Sequence, residues 1–181
     1  MTPEHFKHLA SQGYNRIPVT REVLADLDTP VSSYLKMAQG PYSYLFESVH
    51  GGEKWGRYSI IGLPCREVLK VYGHCVQLEC DGAIKESQDC DDPLAYIEQF
   101  QARYKVPDIP HLPMFNGGLV GYFGYDTVRY VETSIGPSQA ADEIGTPDIL
   151  LMLSEEIVVF DNLSGTICFV INVDPGRENA F

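Results

Sequence analysis

The stretch Glu67-Val68-Leu69-Lys70-Val71-Tyr72-Gly73-His74-Cys75-Val76-Gln77-Leu78-Glu79-Cys80-Asp81-Gly82-Ala83-Ile84-Lys85-Glu86-Ser87 decides the fold class. Short apolar and β-branched runs, Glu67 to Tyr72 and Cys75 to Glu79, flank Gly73-His74, which reads as a hairpin turn. Asp81-Gly82 is a second tight turn suited to positive φ, and it leads into a strand from Ala83 to Ser87. Strands joined by such tight turns must run antiparallel, because a parallel pair needs a long crossover. The chain is therefore expected to be α+β, built mainly from antiparallel strands with a few helices.

Working outward, Tyr42 to Val49 and Arg57 to Ile61 read as strands on either side of a Gly-rich loop, His50 to Gly56. Before them, Thr2 and Pro3 have the form of a helix start running to about Leu9, and Asn15 to Ala25 is extended. A firmer helix begins at Thr29-Pro30, with Val31, Tyr34, Leu35 and Ala38 on one face and Gly40 closing it. On the other side, Asp92-Pro93 starts a helix to about Tyr104, with Leu94, Ile97, Phe100 and Tyr104 facing inward. Pro107, Pro110 and Pro113 impose an extended linker. Thr133 to Pro147 is a polar loop, and two strong strands follow: Ile149 to Phe160, with a break expected near Ser154, and Thr166 to Val173. Asp174-Pro175 with Arg177, Glu178 and Asn179 has the form of a helix cap and first turn, yet Phe181 comes before two turns are complete. The physical reading is truncation, with a frayed natural terminus as the alternative.

The chain has 181 residues, 44% of them hydrophobic, which suits one soluble domain and is tight for two. Its net charge is −12, and the 13 Lys and Arg are scattered, so counterion-driven binding to nucleic acid or an anionic membrane is not expected. No apolar run reaches the ~20 residues of a membrane helix, and the N-terminus lacks the pattern of a secretory signal. The cysteines (Cys65, Cys75, Cys80, Cys90 and Cys168) are odd in number and contain no CxxC pair. They read as free thiols in a reducing, cytoplasmic setting.

Two segments stand out chemically. Phe115-Asn116-Gly117-Gly118-Leu119-Val120-Gly121-Tyr122-Phe123-Gly124-Tyr125-Asp126 is neither a dinucleotide fingerprint nor a phosphate loop. It reads as a structural corner between strand and helix rather than a ligand site. In Leu45-Phe46-Glu47-Ser48, alternation puts Glu47 on the face opposite Phe46 and Ser48. If the flanking strands pair, Arg57 can approach Glu47 or Ser48. Carboxylate, hydroxyl and guanidinium together would suit an amino-acid zwitterion, although spacing alone favours a plain cross-strand surface pair. The histidines (His5, His8, His50, His74 and His111) form no metal or catalytic pattern. Asp89, Asp91 and Asp92 precede a helix and read as a capping region, with a magnesium site as a remote alternative.

Taken together, these segments resemble the N-terminal region of anthranilate synthase component I. Leu45-Phe46-Glu47-Ser48 is similar to that family's Leu-Leu-Glu-Ser motif, and Gly56-Arg57-Tyr58-Ser59-Ile60-Ile61-Gly62 to the strand after it. The glycine-rich segment Gly117 to Asp126 matches a second signature, and Pro147-Asp148 and Val158-Val159-Phe160-Asp161 also fit. The resemblance implies a full-length enzyme that makes anthranilate from chorismate and glutamine-derived ammonia. Its magnesium and chorismate sites would lie in a C-terminal half outside this chain, so residues 1–181 are expected to hold no cofactor and to be inactive alone. It implies L-tryptophan as feedback inhibitor, with Glu47 and Ser48 as contacts, Arg57 as the basic residue and Phe46 as an apolar wall for the indole. A glutamine amidotransferase subunit is the implied partner. The implied fold is part of a two-sheet core, whose open strand edges would favour self-association of the isolated piece. Alternatives are the related aminodeoxychorismate synthase component, a phenazine-pathway homologue and a stand-alone amino-acid-binding module.

Overall fold

A computed structural model describes residues 1–48, 56–136, 142–177 and 180. Two compact units emerge, interleaved along the chain. Unit 1 comprises Met1–Cys65, Tyr104–Gly118 and Ser154–Phe181, and unit 2 comprises Arg66–Arg103 and Leu119–Leu153. Because the chain passes back and forth between them, no single linear boundary marks either one, and length alone favoured one domain.

Unit 1 is built on a five-stranded sheet in the order β1-β10-β9-β3-β2. Its strands are β1 (Ile17–Leu24), β2 (Tyr44–Phe46), β3 (Tyr58–Gly62), β9 (Glu156–Asp161) and β10 (Thr166–Val173). All its pairings are antiparallel. Helix α1 (Pro3–Ser11) starts where expected, with the Thr2 hydroxyl accepting from His5 N at 3.3 Å. Helix α2 (Pro30–Met37) opens on a capping box between Thr29 and Ser32.

The buried face of α2 differs from the expected one: Val31 and Leu35 are exposed, whereas Tyr34, Met37 and Ala38 pack on Ile61, Val158, Phe160 and Ile167. Rotation by roughly one residue places the small Ser33 and Ala38 against the sheet, where larger side chains would hold the helix away. The opposite face of the sheet buries Ile157, Val159 and Val170. Burial on both faces explains why β9, with Ile157 to Phe160 all buried, reads as a continuous apolar run without alternation.

Unit 2 holds the second five-stranded sheet, in the order β6-β5-β4-β8-β7. The meander β4 (Glu67–Tyr72), β5 (Cys75–Cys80) and β6 (Ala83–Asp89) follows the turn chemistry read from sequence. Gly73, Asp81 and Gly82 all take positive φ. β7 (Gly118–Phe123) and β8 (Ile149–Ser154) complete the sheet, and α3 (Pro93–Gln101) buries Ile97 and Phe100. Helix α3 stops before Tyr104, which belongs to unit 1.

The run Ile149 to Phe160 resolves into two strands that join different sheets, with the break at Glu155. Asn172 holds this break: its backbone N–H and its Nδ2 both donate to Glu155 O, at 2.8 and 3.3 Å, and Nδ2 also donates to Asn116 O at 2.6 Å. The strand expected from Tyr42 to Val49 pairs only over Tyr44–Phe46, and Val49 lies outside the described residues. Most of the Gly-rich loop, with His50, and most of the terminal segment beyond Arg177 also lie outside them. Asp174 to Arg177 form a turn, with Gly176 N donating to Asp174 Oδ1 at 2.9 Å.

Candidate functional site

The residues singled out by sequence sit at the β2–β3 end of the unit 1 sheet. β2 and β3 pair as expected, with Phe46 opposite Ile60. Glu47 is exposed and Ser48 half-buried, just beyond the last paired residue of β2.

Arg57 does not turn to Glu47 or Ser48. Its guanidinium forks onto Asp161, with Nε to Oδ1 at 2.9 Å and Nη2 to Oδ2 at 2.5 Å. The reason lies in register. Tyr58 pairs with Asp161 across β3 and β9, so the carboxylate stands beside the strand start from which Arg57 extends. Asp161 is itself fixed by the β9–β10 turn, since Leu163 N and Ser164 N donate to its Oδ1 at 3.0 and 3.3 Å. The Arg57 hydrogen bond, helped by those N–H groups, holds the Asp161 carboxyl well below the usual carboxylate range, and Asp161 pushes Arg57 higher still.

Tyr58 completes the arrangement. The Arg57 guanidinium lies over its ring at 4.9 Å from the centroid. By register, Phe46, Ile60, Tyr58 and Asp161 share one face of the sheet. Phe46 is 54% exposed there and Tyr58 41%. Two open aromatic rings and a guanidinium on one face offer apolar stacking next to a cation. Glu47 follows directly on the last residue of β2 and is exposed.

Behind Phe46 the core is closed. The Tyr44 ring lies 4.9 Å from that of Phe46, and its hydroxyl meets Ser154 Oγ at 2.7 Å. Burial pushes Tyr44 up to about 12 and the neighbouring Cys65 thiol up to about 11. Cys65 is a free, buried thiol packed behind this strand.

Unit 2 carries a cleft of about 950 Å³ lined in part by the glycine-rich signature, through Tyr122, Gly124, Tyr125 and Asp126. Several of its polar groups are engaged in building its own walls. Asp148 Oδ2 accepts Gly73 N at 2.6 Å and stands 3.1 Å from the Tyr130 hydroxyl. Burial, reinforced by the Asp148 carboxylate, pushes Tyr130 upward. Asp126 pairs with Arg129 at 3.0 Å, and Asp92 caps α3 by accepting Ala95 N at 3.0 Å. Gly124 stands between β7 and a 3-10 helix over Tyr125–Tyr130, the strand-to-helix corner expected from the sequence. Among the described residues no three His, Cys, Asp or Glu side chains gather as a metal site requires.

Two antiparallel five-stranded sheets with few helices define an α+β chain. By fold it is similar to a crystal structure of anthranilate synthase component I from Streptococcus pneumoniae TIGR4, with TM-score 0.53 and 24% identity over 87% of this chain and 33% of that one. No protein-family model matches the chain. Curated proteins named anthranilate synthase component 1 from Pseudomonas aeruginosa and Pseudomonas putida are each 60% identical over all 181 residues, which span 37% of their length. One from Neisseria meningitidis serogroup B is 52% identical, again over 100% of this chain and 37% of the relative. Over its whole length the chain matches the N-terminal part of proteins named anthranilate synthase component 1. It spans a little over a third of the length of those relatives.

Proposed function

We propose that residues 1–181 form the inhibitor-binding N-terminal region of an anthranilate synthase large subunit. In this reading the full-length protein makes anthranilate from chorismate and glutamine-derived ammonia, a lyase reaction on the way to tryptophan. Magnesium and chorismate bind outside residues 1–181, a glutamine amidotransferase subunit supplies ammonia, and the enzyme works in the cytoplasm. No described helix is long and apolar enough to cross a membrane. L-Tryptophan binds at the β2–β3 end of unit 1. Its indole lies against Phe46, its α-carboxylate meets Arg57, and Glu47 and Ser48 take the ammonium side.

The observation that carries this reading is the shared face of Phe46, Tyr58 and the fixed Arg57 guanidinium, in a chain 60% identical to its named relatives. Glu47 is exposed just past the end of β2, so its contact with the ammonium comes from beyond the strand. Calorimetry on the full-length subunit should show L-tryptophan binding that Arg57→Ala weakens about a hundredfold, the equivalent of losing ~3 kcal/mol of charge-assisted contact. Unchanged affinity would remove Arg57 from the site. A polypeptide of residues 1–181 should form no anthranilate from chorismate, ammonia and magnesium, and fluorescence of the product would overturn that.

The same polypeptide should self-associate. β7 ends its sheet, and Phe123 on it is 54% exposed. Light scattering at high concentration should report dimers or larger species, and a strict monomer would count against an adhesive edge.

A further inference from the structure

We infer that Asp161 is a positioning residue for the inhibitor site, one that fixes the Arg57 guanidinium so that a single edge of it remains to take the α-carboxylate of an amino acid. The inference rests on the reading of Arg57 above and adds to it a residue 104 positions away in sequence.

A guanidinium has five N–H donors in a rigid plane. The side-on fork to Asp161 consumes Nε–H and one Nη2–H. The second Nη2–H and one Nη1–H remain side by side along a different edge of the same plane, and the other Nη1–H points back toward Cδ. No hydrogen-bond partner occupies that edge among the described residues. It has the spacing of a second carboxylate fork, so one arginine can bridge a protein carboxylate and a ligand carboxylate.

The pinned edge is held firmly because its anchor is not a free side chain. Asp161 sits where β9 turns into β10, with Gly165 N donating to its carbonyl at 2.8 Å and Leu163 N and Ser164 N donating to its carboxylate. The next residue ties the same turn to the strand carrying Arg57. Asn162 N donates to Arg57 O at 2.8 Å, and Asn162 Nδ2 donates to Gly56 O and Ser59 Oγ, each at 3.3 Å. Tyr58 covers one face of the guanidinium. With an edge and a face fixed, little side-chain freedom is left to lose when a carboxylate arrives, and that is how a positioning residue raises affinity without touching the ligand.

The test is a double-mutant cycle in the full-length subunit, measuring L-tryptophan dissociation constants by calorimetry for wild type, Asp161→Asn, Arg57→Ala and the double variant. Asn keeps an oxygen for the turn N–H groups while losing the charge and the fork. L-Tryptophanamide, which has no anionic carboxylate, is measured alongside. Asp161→Asn should weaken L-tryptophan at least about tenfold, leave the amide within about twofold, and add nothing in the Arg57→Ala background. If Asp161→Asn costs the same with Arg57 absent, or weakens both ligands equally, its role is structural and the inference fails. If Arg57→Ala itself leaves L-tryptophan unaffected, the underlying reading of the site fails instead. Should Asp161→Asn not fold, Asp161→Glu moves the carboxylate by one methylene, and the same selective loss for L-tryptophan is expected.

Discussion

Gly121→Val is expected to unfold unit 2 at markedly lower denaturant than the native sequence. Gly121 lies in β7 beside β8, and a Cβ built on it would stand 1.8 Å from Leu150 O, 2.8 Å from Leu150 C and 3.0 Å from Leu151 Cα. Those atoms are backbone, so no rotamer change relieves the overlap. Even alanine would require the two strands to separate, and valine adds two methyl groups to the same place. Separation would expose Val120 and Leu151, which are 9% and 4% accessible, and would break the hydrogen bonds between β7 and β8. A cost on the order of 3–5 kcal/mol follows, above the usual range for overpacking because the clash is with main chain. Urea unfolding should show a lower midpoint at similar slope, and amide exchange should lose protection in β7 and β8 first. Retained protection there would show that β7 does not dock as described.

That prediction also explains the glycine-rich signature physically. Sequence alone supported a structural corner, and the resemblance treated the segment as a family mark. The geometry supplies the cause: a close approach of two backbones at Gly121.

What could be read in advance, and what could not, follows from the range of each interaction. The meander from Glu67 to Asp89 was legible because Gly73-His74 and Asp81-Gly82 dictate their turns within a few residues. The caps at Thr2, Thr29 and Asp92 were legible for the same reason. The buried face of α2 was not, since Val31 and Leu35 fit the helical period as well as Met37 does, and only the sheet beneath decides. The partner of Arg57 was also hidden. Glu47 and Ser48 were near in sequence and chemically apt, whereas Asp161 stood only at the end of the stretch Val158-Val159-Phe160-Asp161, with no pairing to Arg57 suggested. Register across β3 and β9 brings it to Arg57, and nothing local signals that register. Phe46, Glu47, Ser48 and Arg57 were gathered through the family likeness. Tyr58 and Asp161, which shape the guanidinium, come from the fold.

Arg16→Ala is expected to destabilise unit 1 on the order of 3 kcal/mol, because it leaves a covered carboxylate without its cation. The Arg16 side chain is only 12% exposed, and Glu155, to which its Nε donates, is 21% exposed. Its Nη1 donates to Asn15 O at 2.7 Å and lies 3.4 Å from Asp174 Oδ2, while the guanidinium stacks 5.0 Å from the centre of the Tyr104 ring. One side chain therefore joins the start of β1, the Pro-rich linker, the break between β8 and β9, and the residue after β10. The linker is pinned again through main chain, with Asn15 N and Arg16 N donating to Lys105 O at 3.0 and 3.2 Å. A surface ion pair of ordinary exposure would be worth well under ~1 kcal/mol, so the size of the effect separates a buried hub from decoration. Arg16→Lys should recover less than about half of the loss, because a point charge cannot serve Glu155, Asp174 and the Tyr104 face together. Adding Glu155→Gln to Arg16→Ala should restore part of it, since the stranded charge is then gone. Equilibrium unfolding of the single and double variants decides the matter, and Arg16→Ala within about 0.5 kcal/mol of wild type would mean that the chain breaks at Glu155 for reasons other than this cation.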